Sequence, residues 1–94
     1  MSDTVARTVE WSQRALRDPE GIHAYIGQFA PQAAERFTLR LIAAVESLAT
    51  QPDRGRPAGR FRELVAVSPY VVRYRVTQGG VQIARIKHGA QRPE

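Results

Sequence analysis

The sequence predicts an α+β fold, in which a hairpin of two helices packs on one face of a small, mostly antiparallel sheet. Apolar residues recur at helical spacing over residues 22–48 and at a spacing of two over residues 60–88. A segment rich in β-branched residues precedes the helices, which gives the order β-α-α-β-β-β. The 94 residues, of which 43% are apolar, suit a single domain, residues 1–94, with one core.

The first strand is predicted over residues 4–11, where β-branched residues are frequent. Ser12 is then a suitable N-cap for a first helical segment over residues 13–17. Asp18 and Pro19 also fit the start of a helix, because Asp caps helices and Pro is tolerated in the first turn. The sequence therefore leaves open whether Pro19 kinks one helix or separates two.

Two amphipathic helices follow, joined by a very short connection. The apolar stripe of the first consists of Ile22, Tyr25, Ile26 and Phe29. The second helix is predicted from Pro31 to about Thr50. Its stripe consists of Ala34, Phe37, Leu41, Ala44, Val45 and Leu48. Core packing is the interpretation that we favour for the aromatic residues of both stripes.

Three strands are predicted in the second half, after a loop rich in Pro, Gly and Arg at residues 51–59. The strands cover residues 60–67, 70–76 and 81–88, with turns at Ser68-Pro69 and Gln78-Gly79-Gly80. In the middle strand, the set expected to face the helices is Tyr70, Val72, Tyr74 and Val76. The set expected to face solvent or a partner is Val71, Arg73 and Arg75.

The last strand is apolar on both of its faces. Val81 and Ile83 lie on one face, whereas Ala84 and Ile86 lie on the other. Its inward side is therefore left open. A strand of this kind suggests that another chain covers the second face of the sheet.

Positive charge is concentrated in the second half of the chain. The net charge is +5, from 14 Lys and Arg against 9 Asp and Glu. Residues 1–50 hold five Arg and six acidic residues, whereas residues 51–94 hold nine Lys or Arg and three acidic residues. This distribution predicts an anionic partner, either nucleic acid or an acidic protein segment. The alternative interpretation is a basic surface that serves solubility.

Several classes of function are not expected from this sequence. The chain has no Cys, which excludes a disulfide scaffold, a thiolate metal site and a cysteine nucleophile. His23 and His88 are far apart and have no convergent carboxylates, so we expect no metal. No phosphate-binding loop or nucleophile elbow is present, so we expect no cofactor. No apolar run approaches membrane-spanning length and no secretion signal begins the chain, so we expect a soluble cytoplasmic protein.

A cluster of cations is predicted on the sheet. Its members are Arg60, Arg62, Arg73, Arg75, Arg85 and Lys87. Some of them must share a face, where they repel one another unless an anion lies among them. His88 ends the last strand beside Lys87. We favour a structural role for His88 at the strand end, and a general base in RNA cleavage is the alternative.

The order and spacing of short segments over residues 5–91 resemble the ParE/RelE family of bacterial type II toxins, and its ParE branch in particular. The matching segments include VEWS at 9–12, IHAYI at 22–26, GRP at 55–57, PYVVRYR at 69–75 and IARIKHGAQ at 83–91. The resemblance implies the β-α-α-β-β-β toxin fold, as in the toxins of plasmid stabilisation systems. It also implies growth inhibition by the free toxin and a hetero-oligomer with a cognate acidic antitoxin.

The two branches of this family differ in mechanism. RelE-like members cut messenger RNA on the ribosome, whereas ParE-like members bind DNA gyrase and trap it on DNA. Where the nuclease branch carries basic residues, this chain has Val71 and Gln91. The nuclease branch also often carries a C-terminal Tyr, and residues 89–94 contain none. Arg62 alone keeps a basic side chain at such a position. The resemblance therefore favours a gyrase inhibitor that is not an enzyme.

Two alternatives remain open from the sequence. One is a RelE-like ribosome-dependent nuclease that uses Arg62, Arg85, Lys87 and His88. The other is a non-toxic protein-binding derivative. For the favoured reading, the expected antitoxin-binding residues are Arg60, Arg73, Arg75, Tyr25 and Phe29. The expected target-binding residues are Arg85, Lys87, His88, Gln91 and Arg92.

Overall fold

A computed structural model of the chain describes residues 6–89. Its elements are β1 (Thr8–Trp11), α1 (Gln13–Gly27), α2 (Pro31–Ser47), β2 (Arg56–Ala58), β3 (Phe61–Val67), β4 (Tyr70–Val76) and β5 (Gly80–His88). The strands form one sheet in the order β1-β5-β4-β3-β2, in which β1 is parallel to β5 and the other neighbours are antiparallel. The predicted α+β architecture is confirmed. Residues 4 and 5 of the predicted first strand lie outside the described part of the chain.

α1 is a single helix that continues through Pro19. Ser12 is its N-cap, and the Oγ atom accepts a hydrogen bond from the amide of Ala15 at 3.0 Å. The same hydroxyl donates to the carbonyl of Ala84 in β5 at 3.0 Å. Ser12 therefore both starts the helix and attaches that start to the sheet.

The core lies between the helices and the sheet. α2 contributes Ala34, Phe37, Leu41 and Val45, all buried as the spacing predicted, and it ends at Ser47 rather than near Thr50. The sheet contributes Val72, Tyr74, Val81, Ile83 and Ile86. Within residues 6–89, neither helix is long and apolar enough to cross a membrane.

The stripe of α1 is only partly buried, so the prediction that its two aromatic residues pack in the core is wrong. Ile22 and Ile26 pack against the core. Tyr25 is 59% exposed and Phe29 is 74% exposed. Phe29 lies beyond Gln28, which caps the helix, and so does not share its regular face. Only Ile22 and Ile26 of the four-residue stripe therefore contribute to the packing of α1 against the core.

The predicted loop at residues 51–59 contains a short strand, β2, which was not predicted from the sequence. β2 pairs with β3 through Arg56 opposite Glu63 and Ala58 opposite Phe61. Gly59, with φ +66°, turns the chain between the two strands. Arg60 therefore lies in this turn, whereas the sequence predicted it at the start of a strand. Pro57 suits an edge strand because it has no N–H to donate to a ladder.

A bulge in β5 explains why its inward face was not assigned. Tyr74 of β4 lies opposite Ile83, but the preceding residue, Arg73, lies opposite Arg85. Ala84 is thus an extra residue, and it reverses the alternation of side chains. Ile83 and Ile86, on opposite sides by simple alternation, both face the core. The apolar residues on both nominal faces are therefore not evidence for a covering chain.

Candidate partner-binding groove

On the outer face of the sheet, opposite the helices, two of the cations are neutralised within the chain. Arg73 of β4 and Lys87 of β5 both approach Glu63 of β3. The distance to Glu63 Oε2 is 3.0 Å from Arg73 Nη2 and 3.7 Å from Lys87 Nζ. The sequence suggested that an external anion must separate these cations. Glu63 supplies that anion instead, so the clustering of these two residues does not by itself require a partner.

Asp18 joins α1 to the second half of β5. β1 pairs with β5 only as far as Ile83, so the following part of β5 has no strand beside it on that edge. Asp18 Oδ2 accepts hydrogen bonds from the amide of Ile86 at 2.7 Å and from Arg85 Nε at 3.0 Å. A carboxylate on the helix thereby satisfies a backbone amide that a neighbouring strand would otherwise bind.

The space between α1 and this part of β5 forms an open groove of about 830 Å³. Its apolar lining includes Ile22, Tyr70 and Ile86, and Tyr25 also borders it. Its cationic lining consists of Arg14, Arg17, Arg85 and Lys87. Asp18 is the acidic residue in the lining, and both of its oxygens contact Arg85. The groove is therefore suited to an anionic chain that also carries apolar side chains.

His88 also lines the groove and belongs to a row of aromatic rings. Its ring makes an edge contact with Tyr70, with 5.6 Å between centroids. Tyr70 makes a similar contact with Phe37 of α2 at 5.3 Å. This row links the groove to the core and fixes the position of the imidazole.

The structure separates Arg62 from the other three residues of the nuclease alternative. Arg85, Lys87 and His88 line the groove. Arg62 lies opposite Tyr74, whereas His88 lies opposite Tyr70. These positions on β4 are four residues apart, about 13 Å at about 3.3 Å per residue.

Arg62 is also engaged within its own chain. Its Nη1 atom donates to the carbonyl of Gly55 at 2.6 Å and to that of Asp53 at 3.4 Å. These bonds tie Arg62 to the loop before β2. Arg62 therefore has a structural task at the end of the sheet away from the groove.

The residues expected to bind the antitoxin fall on two surfaces. Tyr25 borders the groove and makes an edge contact with Phe29, with 5.7 Å between ring centroids. Arg73 and Arg75 lie on the outer face of the sheet, and Arg60 lies in the exposed turn after β2. The structure thus brings Tyr25 together with residues expected to bind the target.

Of the expected target-binding residues, Arg85, Lys87 and His88 line the groove. Gln91 and Arg92 lie outside the described residues.

The contribution of α1 to the groove was not predicted from the sequence. Arg14, Arg17, Asp18 and Gly21 recur at spacings of three and four, which places them on one face of a continuous helix. That signal was present, but it spans Pro19, where the sequence left open whether one helix continues or two are separated. Within residues 6–89, no cluster of His, Asp or Glu is arranged to hold a metal ion.

Comparisons with known proteins agree with this architecture. The family described as "ParE toxin of type II toxin-antitoxin system, parDE" matches residues 9–93. Toxin RelE2 of Caulobacter vibrioides is 55% identical over 84 residues, which cover 88% of this chain and 96% of that protein. Toxin RelE1 of the same organism is 36% identical over 88 residues, which cover 89% and 95% of the two chains.

A solved structure shares the fold. A chain of the "Chromosomal ParDE TA system from P. aeruginosa" superposes with a TM-score of 0.80 at 22% identity, covering 88% of this chain and 96% of that one. The family match and the identity to two toxins over nearly their whole lengths confirm the resemblance seen in the sequence. This chain belongs to the ParE toxin family of type II toxin–antitoxin systems, within the ParE/RelE superfamily.

Proposed function

We propose that this toxin inhibits DNA gyrase by binding it, and that a cognate acidic antitoxin neutralises the toxin in a tight hetero-oligomer. The observation that carries the proposal is the groove between α1 and β5, which presents cations and apolar side chains but not the complete nuclease set. The match to the ParE family supports the same branch. Because gyrase acts on the chromosome, the proposed site of action is the cytoplasm.

The engagement of Arg62, Arg85 and Lys87 within their own chain supports a binding role rather than catalysis. Cleavage of a phosphodiester needs proton donors and acceptors within hydrogen-bond reach of the same reacting group. Arg62 is bonded to its own loop, and Arg85 is bonded to Asp18. Lys87 faces Glu63.

A RelE-like nuclease is the second candidate. A relative with 55% identity is named RelE2, and Arg85, Lys87 and His88 line one groove. In this alternative, the three residues bind the message and His88 moves the proton. Replacing His88 by Ala then abolishes cleavage of ribosome-bound message, whereas an unchanged rate removes His88 as the base.

The groove and the aromatic pair beside it are the proposed antitoxin site. Tyr25 exposes a large apolar surface at the border of the groove that Arg14 and Arg17 also line, and the exposed ring of Phe29 lies edge-on to Tyr25. An acidic segment that is disordered when free can fold onto such a surface, placing apolar side chains against the rings and carboxylates against the arginines. Neutralisation then follows because the antitoxin occupies the groove that meets the target.

The decisive experiment compares two activities of the purified toxin. The proposal predicts loss of gyrase supercoiling activity and recovery of that activity when the antitoxin is added. Intact gyrase activity at large molar excess of toxin, together with cleavage of ribosome-bound message, would establish the nuclease instead. Normal growth of cells that express the toxin without antitoxin would indicate the non-toxic derivative.

A matched pair of variants connects the activity to the groove. Arg14→Gln combined with Arg17→Gln removes two cations from the groove lining and should weaken inhibition of gyrase. Arg36→Gln combined with Arg40→Gln removes the same charge from exposed positions on α2. Equal inhibition by the two double variants would separate the activity from the groove.

A further inference from the structure

Three exposed arginines cluster at the end of the sheet opposite the groove. Arg60 lies in the turn after β2, and Arg56 lies in β2 itself. Arg75 of β4 joins them because Arg62 pairs with Tyr74, which places the start of β3 beside Arg75. Within residues 6–89, none of these three side chains forms an ion pair with a carboxylate. We call Arg56, Arg60 and Arg75 the end cluster.

The backbone that carries the end cluster is held by buried groups. The hydroxyl of Tyr74 accepts a hydrogen bond from the amide of Gly55 at 2.8 Å and donates to the carbonyl of Pro52 at 2.7 Å. Arg62 adds the bond to the carbonyl of Gly55. A Cβ atom at Gly55 would lie 2.7 Å from the Tyr74 oxygen, so this close approach requires glycine. The loop is thereby fixed from inside the molecule.

The fixed loop sets the positions of the arginines before any partner arrives. The backbone of Arg56 is held in the β2–β3 ladder opposite Glu63, and the turn at Gly59 places the backbone of Arg60. Arg75 is oriented by a bond from its Nε atom to Gln82 Oε1 at 2.8 Å. A ligand that binds pre-positioned cations loses less conformational entropy than one that must order them.

We propose that the end cluster binds the phosphate backbone of duplex DNA, and this inference rests on the proposed action on gyrase, which holds such DNA. The planar guanidinium group donates two parallel hydrogen bonds to a phosphate. Because the end cluster and the groove lie at opposite ends of the sheet, one toxin molecule can contact gyrase and its DNA together. This arrangement holds the enzyme on the duplex.

The surroundings of the end cluster favour duplex over single-stranded nucleic acid. Proteins that bind single strands stack bases on exposed aromatic rings. The ring close to the end cluster is Phe61, and the guanidinium of Arg73 already lies over it, 5.5 Å from its centroid. Contacts restricted to phosphates carry no base specificity, so binding is independent of sequence.

Acidic residues mark the limits of this surface. Glu63 beside Arg56 is engaged by Arg73 and Lys87. Glu10 of β1 lies in the same row as Arg75, with Gln82 between them. The phosphates therefore meet the edge formed by β2 and the turn at Arg60, and the duplex stays clear of β1.

The test measures binding of the full chain to a fluorescently labelled short duplex by anisotropy, without gyrase, over a series of salt concentrations. Each neutralised phosphate contributes about −0.9 to the slope of log K against log salt concentration. The double variant Arg56→Gln with Arg60→Gln should reduce the magnitude of that slope by about 1.8 and weaken binding at least tenfold at low salt.

The matched control is Arg36→Gln with Arg40→Gln on α2, which changes the net charge equally. Circular dichroism and thermal unfolding establish that both double variants fold. An equal loss of duplex binding in the two variants would overturn the proposal, because net charge alone then explains the affinity. Stronger binding to the single strand than to the duplex would also overturn it.

Two further outcomes separate this inference from the proposed function. Duplex binding that depends on the end cluster, in a toxin that leaves gyrase active, supports the inference and removes the proposed function. Gyrase inhibition that is unchanged in the end-cluster variant, with no duplex binding in the wild type, overturns the inference alone. If the variant Arg56→Gln with Arg60→Gln loses affinity for the antitoxin but binds the duplex as well as the wild type, Arg60 belongs to the antitoxin site and the inference is overturned.

Discussion

Asp18 of α1 holds the backbone of β5 at Ile86, with 2.7 Å between the carboxylate oxygen and the amide nitrogen. The same carboxylate pairs with Arg85, the neighbouring residue. One side chain thus sets the distance between the helix and the strand that form the groove.

Replacing Asp18 by Ala should reduce the free energy of unfolding by about 1–3 kcal/mol, because the amide of Ile86 loses its acceptor. Asp18→Asn should cost less, since its amide oxygen can still accept that bond. Urea denaturation measures both values. Glu20→Ala, at an exposed position on the same helix, is the control. A destabilisation by Glu20→Ala as large as that by Asp18→Ala would show that the contact with β5 is not the cause.

Glu63→Gln should destabilise the fold, because it removes the carboxylate that both Arg73 and Lys87 approach on the outer face. Hydrogen bonds to charged groups contribute about 1.5–3 kcal/mol, and the two cations also repel each other once the carboxylate is gone. The midpoint of denaturation should therefore rise with salt concentration more steeply in the variant than in the wild type. Parallel salt dependences would argue against the repulsion.

Tyr74→Phe should loosen the loop before β2 while leaving the core filled. The hydroxyl bonds both Gly55 and Pro52, and its loss leaves buried partners unsatisfied at a cost of about 1–3 kcal/mol. Hydrogen exchange should accelerate at residues 55–58 more than in α2. Tyr25→Phe removes an exposed hydroxyl and serves as the control. Uniform acceleration across the chain would indicate global destabilisation instead of local loosening.

Phe29→Ser should leave the toxin folded and weaken antitoxin binding at least tenfold, or about 1.4 kcal/mol. Exposed aromatic residues that enter a partner's pocket contribute strongly to binding, and Phe29 contributes nothing to the buried core. Leu39→Ser is the control, since Leu39 is 69% exposed on α2 away from the groove. Titration calorimetry of each variant with the antitoxin gives the comparison. An affinity reduced only by Leu39→Ser would move the antitoxin site to α2.

The periodicity of the sequence was sufficient for α2 and for the inward positions of Val72 and Tyr74 in β4, whereas Val76, which was expected to face the helices, is 40% exposed. It was insufficient where a local feature breaks the period. Ala84 adds one residue to β5, so alternation on its own placed Ile83 and Ile86 on opposite faces. β2 has three residues, too few for a periodic signal, and depends on pairing with β3.

The candidate site was harder to predict than the fold, because charge partners are set by tertiary structure. Arg62 and Arg73 look equivalent in the sequence, as basic residues in strands. In the structure Arg62 bonds to the loop before β2, whereas Arg73 pairs with Glu63 on the outer face. The exposure of Phe29 likewise depends on where α1 ends, which a stripe of apolar residues does not reveal.

The pairing of Thr8 in β1 with Gly80 in β5 has a consequence during synthesis. A nascent chain that has not yet emerged as far as β5 lacks one wall of the groove and the partner of its own first strand. Such a chain lacks the complete groove that the proposed binding of gyrase requires. Long-range pairing also slows folding after release, which gives an antitoxin already present in the cell time to capture the toxin as it forms.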